Sequence, residues 1–201
     1  MIDKNHGVPS NLIMKDLNDV MAVFEKYGVT AYLGYGAVLG AVREKDFIKW
    51  DDDIDLDVID AEASYETRKK IGHTLLDLGF KNQPITFNVF GRMELAEDGY
   101  NGDAETGIYV FERNFKFSVF WYKKEGNEYV CTPKMGSQKL ISNLTKFYDK
   151  PGKVKLHGKK FITPGPVKEY LTYMYGDWKT PNRENAHAPQ YNNRVHNIDN
   201  Q

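Results

Sequence analysis

Residues 50–57 read WDDDIDLD: five aspartates in eight positions, with apolar Ile54 and Leu56 between the last three. On a β-strand alternate side chains share a face, so Asp51, Asp53, Asp55 and Asp57 are expected to point one way. Asp52, Ile54, Leu56 and Val58 then point the other way, and the apolar members pin the strand to a core. Carboxylates at this spacing repel one another, and partial burial raises the cost of each charge unless a cation neutralises it. A divalent metal answers that demand. Mg²⁺, with Mn²⁺ as an alternative, prefers oxygen ligands and is commonly shared between one or two carboxylates and substrate phosphates. The segment therefore points to phosphoryl or nucleotidyl chemistry. A calcium loop would use Asp51, Asp53, Asp55, Asp57 and Glu62 at its positions 1, 3, 5, 7 and 12, but its sharp turn requires Gly where Leu56 stands. A merely solvated acidic face does not fit the Ile54/Leu56/Val58 alternation.

Upstream, LGYGAVLGAVRE (33–44) puts Gly34 and Gly36 after a β-rich run, VTAYL (29–33), and before a short helix over 37–44. Small residues let a phosphate approach the backbone, a helix N-terminus offers N–H groups, and Arg43 can fork onto phosphate oxygens. Glycines after strands are more often plain turns. The order strand, Gly-x-Gly, helix, Asp-x-Asp strand is more specific. Ile13, Leu17, Val20, Met21 and Phe24 recur at helical spacing over 10–26, with Gly28 as the stop. A second helix is expected over 61–78, with Tyr65, Ile71, Leu75 and Leu78 on one side and Gly79 ending it. Strand-like runs follow at 85–90, 92–96, 107–111, 116–122 and 128–131, and 153–162 reads as a hairpin turning at His157 and Gly158. Pro166 opens a last helix that Gly176 closes. Helices followed by clustered strands indicate α+β, or mixed α/β, and the lack of regular βαβ alternation argues against a doubly wound parallel sheet.

The chain of 201 residues shows no linker or internal repeat and is expected to form a single domain, with a polar tail from about 177 that wraps the surface or is disordered. A net charge of -1 predicts no general attraction to nucleic acid. Cys131 is the only cysteine, which excludes an internal disulfide and a multi-cysteine zinc site. No signal peptide and no apolar run near the roughly 18 residues of a membrane span are visible, so a cytoplasmic protein without a transmembrane segment is expected.

The stretch GAVLGAVREKDFIKWDDDIDLDV (36–58) resembles the signature of the LicD/fukutin family of phosphotransferases, a branch of the nucleotidyltransferase fold. The matching residues are Gly36, Leu39, Gly40, Ala41, Val42, Arg43, Ile48, Trp50, Asp51, Asp52, Asp53, Ile54 and Asp55. Near the end, Tyr170, Leu171, Tyr175, Gly176, Asp177, Trp178 and Pro181 match the family's closing segment, so the resemblance covers about residues 30–183. It implies a nucleotidyltransferase-like fold with a central mixed sheet flanked by helices. It also implies transfer of a phosphoalcohol group, such as phosphocholine or ribitol phosphate, from a CDP-linked donor to a sugar or glycan hydroxyl. Carried over by position, Asp53 and Asp55 would be the metal ligands and Asp51 a supporting carboxylate. Gly34, Gly36, Ala37, Gly40, Arg43 and Lys49 would line the donor site.

Two departures accompany the match. Ser118, in FKFSVFWY (115–122), stands where the family pattern has a third carboxylate, and a hydroxyl can neither act as a carboxylate base nor neutralise a second metal. Glu94, Glu105 and Glu112 are the candidates to replace it. Ala37 replaces a threonine, removing one hydroxyl contact to phosphate. Nucleotidyl transfer from an NTP is a second reading, and a nucleotide-binding module without catalysis, suggested by Ser118, is a third. His73 reads as a surface or packing residue, His157 as a turn residue, and Cys131 as a small buried hydrophobe. His187 and His196, with Arg183 and Arg194, form a tail cluster that would reach a phosphate only if the tail folds back.

Overall fold

A computed structural model describes residues 7–59, 64–82, 86–87, 91–92, 107–131, 138–181 and 195–197. Glu62, Glu94, Glu105, Arg183, His187 and Arg194 lie outside the described residues, as do the expected strand over 92–96 beyond its first residue and most of that over 85–90. In chain order the elements are α1 (Ser10–Lys26), β1 (Ala31–Leu33), α2 (Tyr35–Leu39), a π-helical turn (Gly40–Glu44), β2 (Asp53–Ile59), α3 (Tyr65–Asp77) and β3 (Lys81–Asn82). They continue with β4 (Thr86–Phe87), β5 (Gly91–Arg92), β6 (Gly107–Glu112), β7 (Lys116–Glu125), β8 (Glu128–Cys131), β9 (Gln138–Leu144) and α4 (Lys146–Asp149). The last are β10 (Gly152–Leu156), β11 (Lys159–Thr163), α5 (Val167–Tyr175) and β12 (Val195–Asn197). Among the described residues no helix is long and apolar enough to cross a membrane.

The main sheet is mixed and runs β1-β2-β7-β8-β9-β12, with β6 also on β7 and β3 on β6. Its parallel pair is the one that matters: β2 lies along β7 with Asp53 opposite Lys116, Asp55 opposite Ser118 and Asp57 opposite Phe120. A parallel pair needs a crossover, and α3 lies on the connection between the two strands, where it contacts α1. β7 is ten residues long because it serves two neighbourhoods. Residues 116–122 pair with β2 and β6, while 123–125 pair with β8.

Burial follows the sequence pattern closely. Ile13, Leu17, Val20 and Phe24 of α1 are buried, as are Ile54, Leu56 and Val58 of β2 and Ile71 and Leu75 of α3. Each such side chain contributes ~1.5–3 kcal/mol on leaving water. Leu78 departs from the expectation: at the C-cap of α3 it is 44% exposed. That helix is capped at its start by Ser64, whose hydroxyl accepts from the Thr67 N–H. The polar tail contributes β12, whose backbone pairs with the edge strand β9. An edge strand offers unpaired backbone groups, and those recruit a segment that apolar periodicity does not mark.

One buried carboxylate fixes the turn that launches β7. Asp16 of α1 is fully buried and accepts from Arg113 Nε at 2.9 Å, from the backbone N–H groups of Asn114 at 2.8 Å and Phe115 at 3.2 Å, and from Asn114 Nδ2 at 2.9 Å. Arg113 Nη2 also reaches Asp16 and, at 2.6 Å, Asp19. Removing the carboxylate would strand these donors in a dry site. Asp16→Ala is therefore expected to cost about 3–5 kcal/mol of folding stability, whereas Lys15→Ala, which cuts an exposed pair with Asp19, stays within about 1 kcal/mol. Urea unfolding of the two variants checks the contrast.

Candidate active site

The site forms where β2 starts. Asp53 and Asp55 leave the strand on one face, half-buried, with Ile54 and Leu56 anchoring the other. The Ser118 hydroxyl donates to Asp53 Oδ2 at 2.7 Å, which puts Ser118 beside the aspartates, where a third carboxylate was expected. Glu112 does not replace it. Its register partner is Lys116, whose own partner on the other side is Asp53, so Glu112 sits two strand spacings, about 10 Å, from Asp53.

Asp51 and Asp52 precede the strand, so the two-residue alternation does not govern them. One carboxylate oxygen from each of Asp51, Asp52 and Asp53 lies within 4.8 Å of the others, so Asp52 joins the acidic side instead of the apolar side expected for it. Asp55 is not in that triplet; it lies further along β2. Asp57 departs as well. It is fully buried beneath the Gly34 turn, accepts from the Tyr148 hydroxyl at 2.8 Å, and does not open to the site. A Cβ on Gly34 would stand 3.1 Å from its Oδ2, which is why the chain can cross there only as glycine or with a shift.

Electrostatics match this crowding. Burial, then the charges of Asp53 and Asp52, push the Asp51 carboxyl up to about 7. Burial, then Asp53, Asp51 and Asp57, hold Asp55 well above the usual carboxylate range. Asp53 is raised mainly by burial, against the opposing pull of Lys116 and of the Ser118 hydrogen bond. Lys116 is the cation of the cluster and carries no signal in the sequence pattern. Its Nζ lies 3.3 Å from Asp52 and 3.9 Å from Asp53. Burial works against its charge, but Asp53, Asp52 and Asp55 outweigh that and raise its pKa. Only its place two residues before Ser118 on β7 could have marked it.

The glycine segment closes over these carboxylates. Gly34 caps α2, Tyr35 takes a left-handed backbone (φ 43°), and the Tyr35 N–H donates to the Tyr170 hydroxyl at 3.1 Å. The Tyr35 hydroxyl is 3.0 Å from that of Tyr122. Gly36 lies against Asp51, and a Cβ there would collide with the Asp51 carboxylate. Ala37 and Gly40 are buried, and Gly40 is packed on the Asp46 carbonyl and Ile48. Arg43 is engaged: Nε donates to Glu44 at 2.7 Å, Nη1 to the Trp178 carbonyl at 3.3 Å, and the guanidinium lies over the Trp50 ring. It ties the closing segment of the chain to the aspartate loop. Lys49 is exposed in the turn before Trp50. The described chain thus brings Asp51, Asp53, Asp55, Gly34 and Gly36 together, with Ala37 and Gly40 in the covering helical segment, Arg43 at its end and Lys49 at the margin. His73 is exposed on α3, Cys131 is buried, and His157 belongs to a different surface.

Residues 28–165 match the family described as LicD/FKTN/FKRP, nucleotidyltransferase domain. The lipopolysaccharide cholinephosphotransferase LicD of Haemophilus influenzae is 51% identical over 35 residues, which span 17% of this chain and 13% of that protein. The chain therefore matches far less than two thirds of that relative's length. Among solved structures, the solution structure of the antibiotic-resistance factor ANT(2'')-Ia covers 82% of this chain and 70% of its own, at 14% identity and a TM-score of 0.46. The lincosamide antibiotic adenylyltransferase LnuA, lincomycin-bound, covers 82% of this chain and 90% of its own, at 15% identity and a TM-score of 0.45.

Two expectations follow from the geometry. Without metal, the folded chain keeps protons on Asp51 and Asp55 that the unfolded chain releases near pH 4, so stability falls as pH rises above about 4, the Asp51 share being lost as pH passes about 7. If Mg²⁺ binds the ionised carboxylates, it should restore stability at neutral pH and have little effect near about pH 5. Thermal melting across pH with and without Mg²⁺ reads this directly, and a profile indifferent to both would count against it. At Gly36 the obstacle is a movable side chain, so Gly36→Ala should displace Asp51 and cut activity at least about tenfold while costing under about 1.5 kcal/mol. At Gly40 the obstacle is backbone, so Gly40→Ala should lower stability by more, about 2–3 kcal/mol. Melting and activity assays on both variants separate the two effects.

Proposed function

Because the chain belongs to the LicD/FKTN/FKRP family, whose nucleotidyltransferase domain spans residues 28–165, we propose that it is a metal-dependent transferase of phosphoalcohol groups. In this reading the donor is a CDP-linked alcohol and the acceptor a hydroxyl of a sugar or glycan. The observation that carries it is the placing of Asp51, Asp53 and Asp55 around the start of β2, under the Gly34–Gly36 turn of the family motif.

The donor set fits a hard divalent cation. Several carboxylates, disfavoured as anions by burial and by one another, face Lys116, and all their ligand atoms are oxygens. Asp53 and Asp55 would hold Mg²⁺, with Mn²⁺ as an alternative. Bound there, the ion would supply neutralisation of the donor diphosphate and of the charge growing on the leaving CMP. The protein's own part is positional. Ser118 holds one oxygen of Asp53 by its hydrogen bond and fixes the carboxylate's rotation. Asp51, wedged against Gly36, supports the pair, and Lys116 adds a positive charge at the same edge. Gly34 and Gly36 leave room for phosphate oxygens to approach the backbone, while Ala37 and Gly40 let the helical segment lie close to the loop beneath it. Lys49, exposed in the turn before Trp50, would extend toward a donor, and Arg43 acts by holding the Trp178 segment against the aspartate loop. With a hydroxyl at Ser118, the site is suited to one metal ion.

The test is CMP release from CDP-choline, CDP-ribitol or CDP-glycerol with Mg²⁺ and glycan acceptors. Release should require the divalent ion, and Asp53→Asn or Asp55→Asn should lower it about a thousandfold or more, ~4 kcal/mol of transition-state stabilisation. No release from any of the three donors would overturn the proposal. Incorporation of labelled nucleotide from an NTP with pyrophosphate release would reassign the site to nucleotidyl transfer.

A further inference from the structure

A second surface lies at the other end of the motif helix. The π-helical turn, the β10–β11 hairpin and the start of α5 enclose an open groove of about 660 Å³. Its walls carry Lys45, Lys153, Lys155, Lys168 and His157, and no carboxylate is among its lining residues. Val42, Val154 and Val167 are its apolar lining residues.

The groove is built of fixed parts. Lys153 and Lys155 alternate with buried Val154 and Leu156 along β10, so both are directed outward on one face. A Cβ on Gly152 would collide with Val167, so β10 and α5 are in close contact beneath the lysines. His157 Nε2 is 2.7 Å from Asp46 Oδ1 and its ring stacks on Phe47, while Ser10 and the Phe47 N–H also donate to Asp46. Lys45 is held in a left-handed conformation with its Nζ on the Val42 carbonyl at 2.8 Å. Lys153, Lys155 and Lys168 have no ion-pair partner among the described residues. Like charges gathered around one concavity repel, and an anion seated between them removes that cost. Ala41 is five residues beyond Gly36, about 8 Å along the helical segment, so the groove is close to the aspartates but separate from them.

We propose that this groove is an anion-binding subsite that seats phosphodiester or carboxylate groups along a glycan chain. The part-exposed Val42 and Val167 and the lysine stems suit the C–H faces of sugar rings, and the ammonium groups suit the anions between them. That the chain is the acceptor rests on the transferase reading above; the binding of an anionic glycan does not.

The experiment titrates the full chain with fluorescent poly(glycerol phosphate), with oligogalacturonate, with neutral dextran and with phosphatidylserine vesicles at several salt concentrations. Wild type is compared with the Lys153→Gln/Lys155→Gln/Lys168→Gln variant, and with the same positions changed to Arg. One or both anionic chains should bind, more weakly as salt rises, and dextran should not. The Gln variant should bind about tenfold or more weakly and with a shallower salt dependence, and the Arg variant should retain binding. CMP release from donor alone should be unchanged in both. Which anionic chain binds identifies phosphodiester or carboxylate as the recognised group. Equal affinity of the Gln variant and wild type, equal binding of dextran, or binding confined to phosphatidylserine vesicles would overturn the proposal. Should the Gln variant not fold, loss of binding in the folded Arg variant, or binding of wild type that is insensitive to salt, would overturn it as well. If CMP release fails while anionic chains still bind through these lysines, the transferase reading falls and the subsite stands.

Discussion

Carboxylates held together in a half-dry strand are the constraint around which this protein is arranged. The cost of placing Asp51, Asp52, Asp53, Asp55 and Asp57 within one short segment falls where a carboxylate is given a specific partner, and the structure provides such partners for some of them. Asp57 is sealed with the Tyr148 hydroxyl, Asp53 takes the Ser118 hydroxyl, and Asp52 and Asp53 share Lys116. Asp55 remains with raised proton affinity and no such partner among the described residues. An arrangement that gives the inner aspartate a hydroxyl donor and leaves the outer ones poised between protonation and cation binding is suited to an exchangeable ion.

Holding that poise requires β2 and β7 in fixed register, and remote residues supply it. Asp16 on α1 pins the 113–115 turn, so Lys116 and Ser118 enter β7 opposite Asp53 and Asp55. From the other side, Tyr170 holds the Tyr35 N–H and Arg43 reaches the Trp178 carbonyl. The two motif segments, far apart in sequence, are thus one physical unit: the closing segment braces the glycine turn that covers the aspartates.

Much of this was legible in the sequence where the signal was local. Helical periodicity with Gly28 beyond it placed α1, and the His157-Gly158 turn placed the hairpin, because each depends on residues within a few positions of one another. The apolar side of β2 was legible for the same reason. Ser118 was placed beside the aspartates by resemblance, and the parallel register bears that placement out. What escaped depends on contacts made across the fold. Asp52 left the apolar face because the strand begins only at Asp53, Asp57 was buried by a turn arriving from upstream, and Lys116 became the cation of the site through a parallel pairing that no periodicity announces. Asp16 looked like a polar residue on a helix until the turn it holds was in view.

The central claim is that Asp53 and Asp55 together hold one divalent ion over which the donor diphosphate lies. Anomalous diffraction from crystals grown with Mn²⁺ and a CDP-alcohol addresses it most directly. The account predicts a single peak bonded to carboxylate oxygens of both residues at about 2.2 Å, with phosphate oxygens completing the shell and Ser118 remaining on Asp53. A peak held by Asp51 and Asp52 without Asp55, or donor density with no metal beside Asp53, would contradict it.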